Sequence, residues 1–369
     1  MTESQEVAVP PAPSSWDPNA FRDGIESTLQ TFVDGQAAWL APLGEDAQRL
    51  VEHARISISG GKRFRASFCW WGHLAVNDAE DPGFDPAALL RACASLELLH
   101  ASALVHDDYM DASDVRRGRP STHRAFEALH LENGWSASAA QYGASAAILL
   151  GDLLLSWADE LLRTCGLPAQ SVLDALGYFD LTRTEVVTGQ FLDVSAQARA
   201  TSEVELAMRV VRYKSAKYSI ERPLHIGAAL AGGTAAALDQ LSAFGLPLGE
   251  AFQLRDDLLG VFGDPEVTGK PAGDDLVEGK RTVLVALALQ SLAPAERDQL
   301  DHALGKPLTE DEVADLRALI SASGAQDQVE QLITTLTSQA LTALEQAGIR
   351  EGARAVLREL AAAATQRTV

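Results

Sequence analysis

From about residue 20 onward, apolar positions recur every three to four residues, and runs that alternate strictly are scarce. The segments IESTLQTFVDGQAAWL, AALLRACASLELLHASALVHDD, SAAILLGDLLLSWADELLRTC and ELAMRVVRYKSAKYSIERPLHIGAALAG all carry this spacing. It is the pattern of helices with one buried face. Clusters of Pro and Gly punctuate the gaps, in EDPGFDP, CGLPAQ, FGDPEVTGKPAGDD and LGKPLTED. The pattern predicts an all-α fold: a single-domain bundle of ten or more helices over residues 19–369. The Pro- and Ser-rich start predicts a disordered tail over residues 1–18. Beyond about Pro294 the helical pattern continues without identifiable chemistry, and this part is expected to complete the bundle.

Composition narrows the function. Of 369 residues, 47% are hydrophobic and 22% charged, enough for a large core. Lys and Arg number 30 against 51 Asp and Glu, a formal charge of −21. So acidic a surface argues against general nucleic-acid binding, and phosphate ligands need locally gathered cations or metals. Cys69, Cys93 and Cys165 sit singly among apolar residues and read as reduced core cysteines. The N-terminus shows no signal-peptide pattern, and Asp152 interrupts the apolar run at 144–162. No transmembrane segment and a cytoplasmic location are therefore expected.

Two acidic clusters raise the chemical question. In LVHDDYMDASDVRRGRP, Asp107 and Asp111 share a helix face, with Asp108 beside them. Like charges so close repel unless a cation offsets them, and carboxylates are the donors that Mg²⁺ prefers. A solvated helix end is the plain alternative. A second cluster, Asp256 and Asp257 after Phe252 and Gln253, sits in another apolar helix and weakens that alternative. Two such helices facing each other would hold a cation cluster and an anionic substrate. Lys62, Arg63 and Arg65 follow two glycines at the predicted start of a helix, a setting that suits phosphate. Arg116, Arg117, Lys214, Lys270 and Lys280 add cations next to Gly, Asp or Ser.

With these motifs in order, the chain resembles the trans-isoprenyl diphosphate synthases, or polyprenyl synthetases. GGKRFR, LELLHASALVHDDYMDASDVRRGRPSTH, AAILLGDLLL, VVTGQFLDV, YKSAK, FQLRDD and GKPAGDDLVEGKRT carry the resemblance, from about Gly60 to Thr282. It implies the isoprenoid synthase fold, a bundle around a central active-site cavity, and a homodimer. It implies Mg²⁺, three ions per active site, on Asp107, Asp111 and Asp256, with Asp108 and Asp257 supporting. Isopentenyl diphosphate would lie on Lys62, Arg65, His100 and Arg117, with Arg63 a lesser candidate. The allylic diphosphate would meet Arg116, Lys214, Lys270 and Lys280. Gln190, Ser215 and Gln253 would line the reacting carbons, with Asp193 behind them. Two positions depart from the family pattern. Gly260 stands where the second motif usually ends in aspartate, and Ser215 stands where threonine is frequent.

The implied product follows from the helix carrying the first motif. Ser102 and Ala103, one turn before Asp107, are small, whereas Leu99 and Leu96 lie further back. Each turn rises about 5.4 Å, roughly one isoprene unit, so a C20 product, geranylgeranyl diphosphate, is expected. Plain core roles for Leu99 and Leu96 are the alternative, as are farnesyl or longer products. Three other readings compete. Glu97 with His100 and Glu127 with His130 form Glu-x-x-His pairs like those of di-iron bundles. A terpene cyclase would share the acidic motifs, and Gly260 would suit a non-catalytic regulatory subunit.

Overall fold

The computed structural model describes residues 16–263 and 273–366. It is all-α, apart from one two-residue hairpin. The chain divides into two compact units. The first comprises residues 1–176, 226–233 and 350–353; the second comprises 177–225, 234–349 and 354–369. Residues 1–15, most of the proposed tail, lie outside the described residues, as does Lys270. Regular packing begins at Trp16, whose ring contacts Phe21 and Trp71.

In the first unit, α1 (Pro18–Leu40) starts where Asp17 caps the amides of Asn19 and Ala20. After it come α2 (Glu45–Ile58), α3 (Phe64–Val76) and α4 (Pro86–Met110). Asp85 caps α4 through Ala88, with Pro86 in the first turn. Helix α4 is the centre of this unit: Leu89, Leu90, Leu96, Leu98 and Leu99 are all buried, on every side of the helix. By length and composition it could cross a membrane, yet 78% of its most apolar window is buried in protein. A helix apolar all round is what a core position requires. It packs against α6 (Ala139–Arg163), α3 and α1, while α5 (Thr122–Glu132) also lies on α6.

The second unit contains most of α7 (Ala169–Ala198) and, as far as His225, a helix that changes pitch along its length. It begins as α8 (Val204–Val210), widens into a π-helix over Val211–Glu221, and tightens again as α9 (Arg222–Leu230). Helix α10 (Ala235–Phe262) packs on the π-helical stretch. Then come α11 (Asp274–Val277), α12 (Val283–Ser291), α13 (Pro294–Ala303), α14 (Glu310–Ala322), α15 (Ala325–Gln346) and α16 (Glu351–Thr365). The segment after Pro294 does complete a core: Leu300, Leu316, Ile320, Val329 and Ile333 cluster with Leu254, Leu258 and Val261 of α10.

Candidate functional site

The first unit holds Lys62, Arg63, Arg65, Leu96, Leu99, His100, Ser102, Ala103, Asp107, Asp108, Asp111, Arg116 and Arg117. Between α4 and α5, Val115–Arg116 pairs with Arg119–Pro120 in an antiparallel hairpin. Its two turn residues, Arg117 and Gly118, have φ of +53° and +71°, the left-handed pair that matches strand twist. The hairpin sends its two arginines to different partners. Arg116 Nε donates to Asp108 Oδ1 at 2.8 Å, and a second guanidinium N–H reaches the same oxygen. Arg117 donates to the Ser59 carbonyl, beside the GGKRFR loop. There Gly61 has the left-handed φ, +98°, that favours glycine, and a Cβ would press on Arg117 Nη2 at 3.1 Å. The glycines thus admit an arginine as well as leaving amides open.

These cations crowd one another. Burial, followed by the charges of Arg65, Arg117, Arg116 and Arg63, holds the His100 imidazole well below its usual range. Partial burial and Arg63, Arg116 and Arg65 likewise lower Arg117, against the pull of Glu97. A neutral imidazole among arginines is a donor-rich nest for an anion. Arg63 is the exception within the predicted set. It is 5% exposed, and its guanidinium pairs with Glu97 at 3.2 Å and also with Glu26, while donating to the Ile58 carbonyl. Those partners turn it into the core, beside the start of α3.

Glu97 is accordingly engaged by Arg63 and by the Ala66 amide. Glu127 pairs with Arg124 at 2.7 Å, and His130 Nε2 bonds the Ser136 carbonyl. The di-iron reading fails on these partners. Asp108 is buried, and its ion pair to Arg116 anchors the hairpin. Asp107 and Asp111 are half-buried and stand one turn apart. Ser102 faces away from them, its hydroxyl donating to the Gly151 carbonyl of α6 at 2.7 Å. Of the two small residues predicted to open a tunnel, only half-buried Ala103 is left without that commitment; Leu99 and Leu96 are buried.

The second unit holds Gln190, Asp193, Lys214, Ser215, Gln253, Asp256, Asp257 and Lys280. A Cβ on Gly189 would lie 2.3 Å from the Lys214 nitrogen, so this glycine lets α7 touch the backbone of the π-helix. On its other side Gly249 of α10 does the same, with a Cβ 2.5 Å from the Ala216 carbonyl oxygen. π-Helical turns are rare and concentrate at functional sites. Through this contact Lys214 Nζ reaches Asp193 Oδ2 at 2.6 Å, joining TGQFLD to YKSAK. One turn of α10 separates Gln253 from Asp257, and the amide donates to Asp257 Oδ1 at 2.8 Å.

Asp256 is exposed and Asp257 buried. Burial and the charge of Asp275 push Asp257 up to about 8; Asp256 adds to the rise, and Gln253 and Lys280 oppose it. Such carboxylates are stabilised by a cation placed among them. Asp275, on α11, was missed from sequence, although the doublet Asp274–Asp275 in AGDDLVEGK was its signal. Lys280 Nζ lies 3.3 Å from Asp275 Oδ1 and also pairs with Glu278.

In both motifs the donors are hard oxygens, suited to a divalent cation such as Mg²⁺. Among the described residues no three His, Cys, Asp or Glu side chains converge as a ready-made metal cage. The donor set therefore fits an ion held by one or two carboxylates, with phosphate and water completing its shell. Two grooves of about 510 and 420 Å³ are lined by none of the predicted site residues.

Comparison with known proteins agrees with this geometry. The polyprenyl synthetase family profile matches residues 47–321. A short chain isoprenyl diphosphate synthase from Methanothermobacter thermautotrophicus is 31% identical over 310 residues, covering 83% of this chain and 87% of its own. A (2E,6E)-farnesyl diphosphate synthase from Mycobacterium tuberculosis is 31% identical, covering 77% of this chain and 75% of its own. Other relatives are geranylgeranyl and geranylfarnesyl diphosphate synthases. Among solved structures, geranylgeranyl pyrophosphate synthase from Corynebacterium glutamicum, complexed with isoprenyl diphosphate and magnesium, superposes with a TM-score of 0.93 at 42% identity. That match covers 96% of this chain and all of the other. The fold is therefore the all-α isoprenoid synthase fold. The chain belongs to the polyprenyl synthetase family, whose members are trans-prenyltransferases.

Proposed function

We propose that this chain condenses isopentenyl diphosphate with dimethylallyl, geranyl and farnesyl diphosphates in a Mg²⁺-dependent reaction, with geranylgeranyl diphosphate as main product. The observation that carries the proposal is the stripe on α4. His100 and Asp107 are seven residues apart, so they share a face and stand about 10 Å apart along the axis. Arginines surround the first; the second leads a pair of carboxylates. One end suits a bare diphosphate and the other a diphosphate chelated to metal.

In this reading Lys62, Arg65, His100 and Arg117 hold isopentenyl diphosphate, and Asp107, Asp111 and Asp256 hold Mg²⁺, three ions per active site. Bound Mg²⁺ supplies positive charge to the leaving diphosphate and so favours C–O cleavage. Lys214, steadied by Asp193, joins Lys270, Lys280 and Arg116 in binding the same group. The C–O bond breaks with both electrons going to pyrophosphate, leaving an allylic cation. Gln190, Gln253 and Ser215 turn dipoles toward that cation. The double bond of isopentenyl diphosphate supplies the electron pair of the new C–C bond, and a proton then passes to pyrophosphate. Ser215 supplies the same hydroxyl as the threonine frequent in the family. Ala103 leaves space one turn before Asp107, and Leu99 and Leu96 would stop the chain at C20.

A homodimer in the cytoplasm completes the proposal. On α7, Val187, Phe191 and Val194 are exposed at i, i+4 and i+7, an apolar stripe that a second copy would cover. The test is incubation of the pure chain with Mg²⁺, isopentenyl diphosphate and each allylic starter, with products separated by chromatography. Linear C20 diphosphate is expected. A C15 or C25 product overturns the length assignment; a cyclic hydrocarbon or no turnover overturns the synthase reading.

A further inference from the structure

The first acidic motif has a carboxylate four residues after its leading aspartate, Asp111 after Asp107. The second has Gly260 after Asp256. Position 260 is nevertheless filled by a carboxylate. A Cβ on Gly260 would lie 2.0 Å from Oδ2 and 2.5 Å from Cγ of Asp275. Restoring an aspartate there would drive it into a carboxylate already in place.

The segment that delivers Asp275 is firmly held. Gly273 caps α11 in the left-handed conformation, at φ +76°, packed so that a Cβ would stand 2.6 Å from Val313 Cγ1. Leu276 is fully buried, and its carbonyl accepts from the Gly305 amide at 3.0 Å. The chain turns back so that the Lys280 amide donates to the Asp275 carbonyl at 3.0 Å, bringing the Lys280 ammonium to Asp275 Oδ1. The Asp275 side chain is 14% exposed, so little of its orientation is left to solvent.

We infer that Asp275 is the missing third carboxylate of the second acidic motif, supplied over Gly260 by a different helix. It is a positioning residue: it orients Lys280 and adds negative charge beside Asp257 and Asp256, where the metal–diphosphate end of the substrate would bind. The inference rests on the proposed function and deepens it. It makes Gly260 a requirement of the arrangement, where sequence alone suggests a defect.

The test uses Mn²⁺ as probe, titrated into the full-length protein with inorganic pyrophosphate and followed by electron paramagnetic resonance. Asp275→Asn should weaken Mn²⁺ binding by about 10-fold or more, as loss of a supporting partner does at other metal sites. Its melting temperature serves as the folding control. Gly260→Asp with Asp275→Gly moves the carboxylate onto α10 and should restore binding to within about threefold of wild type. Asp256→Asn is the control for the parent reading. Wild-type binding by Asp275→Asn, alongside loss in Asp256→Asn, overturns the inference and leaves the proposed function standing. Wild-type binding by both variants overturns both. A folded double variant that fails to recover overturns the inference; if it does not fold, Asp275→Asn decides alone.

Discussion

The two acidic motifs look alike in sequence and are built differently. In the first, the inner carboxylate, Asp108, is neutralised by Arg116 from a hairpin eight residues on. In the second, the inner carboxylate, Asp257, has Gln253 as its donor and two further carboxylates nearby, and its pKa rises to about 8. One inner carboxylate is paired with an arginine; the other accepts from a neutral amide and is raised by burial and neighbouring carboxylates. The first motif should therefore owe its shape to the fold, and the second should owe part of its stability to ligand.

The largest effect that would break this comparison lies in activity. Asp107→Asn should lower kcat by about 10³-fold, the scale of losing one group that stabilises developing charge. A steady-state assay that finds less than a tenfold loss removes Asp107 from the metal site. Next in size is a stability contrast measured without metal. Asp108→Asn removes the buried charge facing the Arg116 guanidinium and should cost about 3 kcal/mol by urea unfolding. Asp257→Asn removes like-charge repulsion and should leave metal-free stability unchanged or higher. Equal losses in the two variants would end the distinction between the motifs.

A smaller effect sharpens it by testing each unit through a buried histidine. Burial pushes His73 in the first unit and His225 in the second down to about 4. The unfolded chain takes up these protons near pH 6.5 and the native state does not, so stability is full above 6.5 and falls as pH drops toward 4. At pH 5 each should cost about 2 kcal/mol. His73→Gln and His225→Gln, melted across pH 5–7, should each flatten the profile by that amount. Smallest is product selection: Ala103→Phe should shift the distribution from C20 toward C15 by about 1–3 kcal/mol of discrimination. Chromatography showing an unchanged distribution would remove Ala103 from the tunnel.

The architecture was legible because α4, α6 and α10 are long runs rich in Ala and Leu, and because both acidic motifs stand in apolar helices. The resemblance ranked Arg63 below Arg65, but only the fold sets Glu97 and Glu26 against the first. The hairpin at Val115–Pro120 is too short to alternate, so its turn, with Arg117 at positive φ, leaves no period to detect. The π-helical stretch has ordinary helical composition, and the glycines that lie against it, Gly189 and Gly249, are distant in sequence. Asp275 is fifteen residues from Gly260, so the doublet Asp274–Asp275 and the glycine are both visible in sequence, but their contact is not.

The wide turns from Val211 to Glu221 set how this gene can tolerate small deletions. Losing one codon there would not merely shorten the helix. It would turn the rest of that helix about its axis, pulling Arg222 off Glu185 and His225 off Ser242. An equal loss in the exposed link around Arg199 and Ala200 would rotate nothing that packs. In-frame deletions recovered from a survival screen should therefore accumulate in that link and be absent from the eleven residues of the wide helix.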